Sequence, residues 1–135
     1  MTFVLDASVT LAGVMPDETS ELADRLLSQL PNDGAVVPCV WPLEVANALA
    51  IAERRGRISQ EQSDYIVALL LELPVEVAAS SPELELTASL AFARQFGLSA
   101  YDASYLELAV RLNLPLATLD SRLRAAAVQL GLPTL

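Results

Sequence analysis

The chain has 135 residues, 53% of them hydrophobic, with 17 acidic and eight basic side chains and a formal net charge of −9. All the basic residues are Arg; the absence of His and Lys removes the usual imidazole base and zinc ligand, the Schiff-base amine and the phosphate-loop lysine. Catalysis by this chain therefore rests on carboxylates, hydroxyls, the single Cys39, or a metal held by oxygen ligands.

In chain order, residues 2–5 read as a buried strand that runs into Asp6, and a brief helix follows from about Ala7 to Val14. Pro16-Asp17-Glu18 is a loop. The spacing of Leu22, Leu26, Leu27 and Leu30 predicts an amphipathic helix over about 20–30. Pro31-Asn32-Asp33-Gly34 reads as a turn and residues 35–37 as a short buried strand. A helix opens at Pro42 and closes at Gly56. Ser59 with Gln62 forms a capping box for a helix reaching about Glu72. Residues 75–77 are strand-like, Ser81-Pro82 starts a helix ending at Gly97, and Ser99 caps another over about 100–112. A strand over 114–119, a helix over 121–130 and a last extended piece complete the chain. Strands alternating with helices predict a helix-rich α/β fold, a small parallel sheet with helices on both faces.

There are no repeats, linkers or low-complexity tracts, so a single domain over 1–135 is expected. No apolar run approaches the roughly 18 residues of a membrane span. The N-terminus lacks the features of a signal peptide, and a cytoplasmic protein is expected. The apolar neighbours of Cys39 suggest an inert core thiol.

Three acids share the situation of Asp6. Glu44 lies in the first turn of its helix in "WPLEVAN", Asp102 three residues after Ser99 in "LSAYDASYLEL", and Asp120 between strand and helix in "LPLATLDSRL". Each has an ordinary structural explanation: Asp6 and Asp120 as helix caps, Asp102 as the acidic end of a capping box, Glu44 as a complement to the helix dipole. Jointly they point elsewhere. Acids at strand ends of a parallel sheet face one crevice, and their mutual repulsion costs stability unless a cation sits among them. Such hard oxygen donors suit Mg²⁺, or Mn²⁺, which activate water and clamp phosphate oxygens. That is a phosphodiester-cleaving site built without His or Lys.

The pattern "VLDASV…WPLEVANAL…LSAYDASYLELA…LATLD" resembles the PIN domain, and specifically the VapC toxins of bacterial type II toxin–antitoxin pairs, in residue type, order and spacing from Phe3 to Asp120. The resemblance implies a metal-dependent endoribonuclease with Asp6 and Asp102 as principal Mg²⁺ ligands, and Glu44 and Asp120 completing the quartet. It implies supporting places for Ser8, Asn47 and Thr118, for which local backbone hydrogen bonding is an equal alternative. It also implies a VapB-like antitoxin that covers the site. Homodimerisation through the hairpin at 42–72 is implied as well; this hairpin carries Val45, Leu49, Tyr65, Ile66, Leu69 and Leu70, a set equally suited to plain core. Candidate RNA contacts are Arg54, Arg55, Arg57, Arg122 and Arg124, although the acidic balance predicts weak, salt-dependent RNA binding.

A phosphorelay receiver and a haloacid-dehalogenase-type phosphatase both want a Lys that this chain lacks, and Ser8 stands where the latter wants a second Asp. A PIN nuclease of RNA processing and a catalytically silent interaction module remain as alternatives.

Overall fold

Phe3, Val4 and Leu5 are all buried and form β1 (Phe3–Leu5). Complete burial fits a strand flanked on both sides by parallel partners and covered on both faces. The computed structural model describes residues 1–135 and pairs β1 with β2 (Ala35–Val37) on one side and β4 (Leu116–Ala117) on the other. Strand β3 (Val75–Val77) lies outside β2. The order is β3-β2-β1-β4, every pairing is parallel, and Val4 sits opposite both Val36 and Leu116. A parallel bridge from Leu116 to Thr134 continues the sheet past β4.

Parallel neighbours need crossovers, and helices supply them. Helices α1 (Ala7–Val14) and α2 (Glu21–Asp33) connect β1 to β2, while α3 (Trp41–Arg54) and α4 (Gln60–Glu72) connect β2 to β3. The last crossover holds α5 (Pro82–Leu84), a π turn over Glu85–Ser89, α6 (Leu90–Phe96) and α7 (Ala100–Leu112). Helix α8 (Ser121–Gln129) follows β4. The chain thus moves from β1 outward to β3 and returns to the far side of β1. In an open parallel sheet, this reversal of direction marks the carboxyl ends of β1 and β4 as the place where binding groups collect.

The core joins the strands to the inner faces of the helices, with Leu26, Leu30, Tyr105, Leu106, Leu108 and Leu123 essentially without solvent contact. Burial on this scale stabilises by about 1.5–3 kcal/mol per large apolar side chain. Helices α1 and α2 meet closely at Gly13, where an added Cβ would collide with the end of the Leu27 side chain.

Four sequence expectations are corrected. Residues 31–33 are not a turn: α2 runs through Pro31 to Asp33, and Gly34 ends it at φ 71°. A proline in the last turn forfeits a single helix bond, and buried Leu30 keeps that turn packed. The helix over 82–97 is interrupted by the π turn, where the Ser89 hydroxyl donates to Glu85 Oε1 at 2.9 Å; no Gly or Pro announces it. The strand over 114–119 shrinks to two residues because Pro115 has no N–H and Thr118 turns toward the crevice. Cys39 is exposed rather than a core thiol, since Val37 and Pro38 take the inward positions at the end of β2.

Candidate active site

Asp6 follows β1 directly and is 5% exposed. Although it occupies the N-cap position of α1, its side chain makes no capping bond. Instead Oδ2 accepts from the Ser8 hydroxyl at 2.6 Å and the Thr118 hydroxyl at 2.7 Å. These hydroxyls are themselves anchored, Ser8 Oγ accepting from Leu119 N–H and Thr118 Oγ1 from Asp120 N–H, both at 3.0 Å. The ends of β1 and β4 are thereby tied together through one carboxylate, with Oδ2 occupied.

Glu44 lies in the first turn of α3, half-buried, and its Oε1 accepts from the Tyr105 hydroxyl at 2.6 Å. Asp102 lies in the first turn of α7, whose N-cap Ser99 accepts from the Asp102 N–H at 3.0 Å. Asp120 caps α8, with Oδ1 accepting from the N–H groups of Arg122 at 2.9 Å and Leu123 at 3.1 Å. The capping role holds for Asp120 and not for Asp6.

The charges of these acids act on one another in pairs. Burial, above all, pushes Asp6 above the ordinary carboxylate range, with the charge of Asp120 adding to it while Ser8 and Thr118 pull it back. Glu44 is raised by burial and by the charges of Asp6 and Asp102, against the Tyr105 hydrogen bond. Asp102 is raised by burial and by Asp6 and Asp120, with Ser99 and Arg122 opposing. Two helix first turns and two strand ends therefore bring like charges within reach of each other, an arrangement that a cation relieves.

The donor set is all oxygen and suits a hard divalent ion. With the side chains as they stand, no three of these acids are spaced to hold one ion. Each of Asp6, Glu44 and Asp120 has one oxygen engaged by a hydroxyl or by backbone N–H groups, which leaves its second oxygen as the donor.

The remaining expected residues divide. Ser8 and Thr118 join the site. Asn47 is exposed one turn beyond Glu44 on α3. Arg122 stands beside Asp102 and donates to Gly97 O at 3.0 Å, and Arg124 donates to Thr118 O. Arg54 and Arg55 are exposed at the far end of α3, about 15 Å along the helix from Glu44 at 1.5 Å per residue. Arg57 is engaged by Asp17, with contacts of 2.8 and 2.9 Å, and by Glu18. Sequence reasoning missed Tyr105: an aromatic in an apolar helix gives no sign that its hydroxyl meets an acid 61 positions away.

Comparison with known proteins fits this geometry. The family model for the PIN domain matches residues 3–129. The chain is 32% identical to "Ribonuclease VapC3" of Pyrobaculum aerophilum over 123 residues, 91% of this chain and 92% of that protein. Among solved structures, PAE2754 from Pyrobaculum aerophilum superposes with a TM-score of 0.71 at 26% identity, covering 93% of this chain and 87% of that one. VapC20 of Mycobacterium tuberculosis, described as a Sarcin-Ricin loop cleaving toxin, superposes at 0.70 with 19% identity over 93% and 95% of the chains. VapBC2 of Rickettsia felis, bound to a DNA fragment from its promoter, superposes at 0.70 with 14% identity over 100% and 98%. The last two show a shared fold.

Proposed function

The chain belongs to the PIN domain family, and from that premise we propose that it is a divalent-metal-dependent endoribonuclease serving as the toxin of a type II toxin–antitoxin pair. The observation that carries the proposal is the convergence of Asp6, Glu44, Asp102 and Asp120 at the crevice beside β1 and β4, with three of them pushed up by burial and by one another. The 32% identity to a ribonuclease over nearly the whole chain supports RNA as the substrate.

In this reading Asp6 and Asp102 are the principal ligands, and Glu44 and Asp120 complete the set. A bound Mg²⁺ or Mn²⁺ supplies Lewis acidity toward water and phosphate oxygens and offsets the local negative charge. Ser8 and Thr118 hold Asp6 by Oδ2 and so fix the direction of Oδ1. With no His in the chain, the proton of the attacking water goes to a carboxylate. Glu44 and Asp102, half-buried, are the raised carboxylates on the two helices that face Asp6. Arg122, beside Asp102, is the cation placed to meet the phosphate backbone. Asp17 and Glu18 hold Arg57 away from that task.

An acidic crevice of this kind is matched by a basic side chain inserted by a partner, which is how a small antitoxin would block it. The test is incubation of purified protein with total RNA, with Mg²⁺ or Mn²⁺ and then with excess EDTA. Cleavage that needs the ion and stops on chelation is expected; cleavage that survives full chelation overturns the metal mechanism.

A further inference from the structure

One hydroxyl reaches the acidic crevice from inside the core. Tyr105 lies on α7 one turn after Asp102, is fully buried, and is the largest side chain in the molecule without solvent contact. Its ring is locked by packing, yet its hydroxyl emerges among the acids. It donates to Glu44 Oε1 at 2.6 Å and stands close enough to Asp6 to feel that charge, with the Ala7 N–H against the phenol oxygen. Burial first, and then the Glu44 hydrogen bond, push the phenol far above its ordinary value. No other side chain hydrogen-bonds Glu44.

We propose that Tyr105 is a positioning residue that fixes the Glu44 carboxylate from behind, occupying Oε1 so that Oε2 is the oxygen presented to a divalent cation. A Glu side chain has three torsions to order before it can act as a ligand, and a donor on a ring immobilised by the core removes most of that freedom in advance. Because Tyr105 and Asp102 share one face of α7, the same helix supplies one acid directly and orients a second, carried on α3. The inference rests on the reading that the four acids hold a divalent ion.

A buried phenol also needs an acceptor for its own sake, so the experiment must separate positioning from packing. Mn²⁺ binding is measured by calorimetry, without RNA, for wild type, Tyr105→Phe, Glu44→Gln and the double variant, with melts in EDTA to confirm folding. Loss of an orienting partner weakens metal binding by roughly 10- to 100-fold, and Tyr105→Phe is expected near the lower figure. In the Glu44→Gln background the same change is expected to alter affinity by less than about twofold, because the residue it acts through is gone. Glu44→Asp, which withdraws the carboxylate from the phenol without touching the core, is expected to lose affinity as Tyr105→Phe does, and it serves if the Phe variant folds poorly. Equal losses in both backgrounds, or wild-type affinity in Tyr105→Phe or Glu44→Asp, overturn the positioning role alone. A wild-type protein that binds no Mn²⁺ overturns the metal reading and this inference together.

Discussion

Thr118 and Asp6, 112 positions apart, share a 2.7 Å hydrogen bond in which the threonine hydroxyl donates to Oδ2, while the same hydroxyl accepts from Asp120 N–H at 3.0 Å. Replacing Thr118 with Val keeps the shape and removes both bonds, leaving a buried carboxylate short of a donor and a backbone N–H without its acceptor. The cost of such orphaned groups is about 1–3 kcal/mol. Urea denaturation in EDTA is expected to show a loss in that range for Thr118→Val. Thr118→Ser keeps the hydroxyl and is expected to lose only about the 0.8 kcal/mol of one buried methyl. Equal losses for the two would show that the hydroxyl bonds contribute nothing.

The absence of a capping bond from Asp6 separates its role from that of Asp120. Asp6→Asn and Asp102→Asn each remove one like charge from a crowded set, and Asn at position 6 still accepts from Ser8 and Thr118 through its carbonyl oxygen. Both variants are expected to lose RNA cleavage by roughly a hundredfold or more, while their metal-free melting points stay level or rise. If both melt well below wild type and still cleave, these acids are structural.

Much of this was legible in the sequence because it is local. The capping box at Ser59 and Gln62 forms as its spacing predicts, α7 begins after its cap Ser99 as expected, and Asp6 and Asp120 stand at the junctions after β1 and β4 where the sequence puts them. What was hidden depends on contacts across the fold. Nothing local tells that Tyr105 meets Glu44, that the Arg57 fork closes on Asp17 forty positions back, or that the helix after Pro82 takes a π turn. The expected hairpin set also divides only in three dimensions, Val45, Leu49, Ile66 and Leu70 turning into the core and Tyr65 and Leu69 to the outside.

The raised carboxyls of Asp6, Glu44 and Asp102 make a pH prediction for the metal-free protein. A carboxyl whose folded value lies above its unfolded value (about 3.9 for Asp and 4.3 for Glu) holds its proton more tightly in the native state. Its contribution to stability is present below the unfolded value and is lost as pH rises through the folded one. In EDTA, the advantage of Asp102→Asn over wild type is therefore expected to be smallest near pH 4 and to grow toward pH 7. Thermal melts across that range check it. Added Mg²⁺ is expected to stabilise wild type more than the variant at pH 7, reversing the order. An advantage that is constant with pH would mean that repulsion at Asp102 is not felt.

The hairpin of α3 and α4 makes the last prediction, that the free protein is a homodimer. Its outer surface leaves Leu43 71%, Tyr65 71% and Leu71 81% exposed, with Val67 and Leu69 about two-fifths exposed beside them. The core is already complete without these side chains, so their apolar surface is surplus to the fold. Large apolar side chains exposed on one hairpin of a small protein mark a partner site. A two-fold axis lets one such patch cover its own copy, since the same residues are contributed twice. Sedimentation at micromolar concentration is expected to give about twice the 14.4 kDa chain mass. Tyr65→Glu together with Leu69→Glu, one turn apart on the same face of α4, places charge in that patch without touching the core, and is expected to yield a folded monomer. Val128→Glu, an equally exposed apolar position on α8, is the control and is expected to leave the dimer intact. A wild-type monomer removes the dimer, and a dimer indifferent to the paired Glu substitutions moves its interface away from α4.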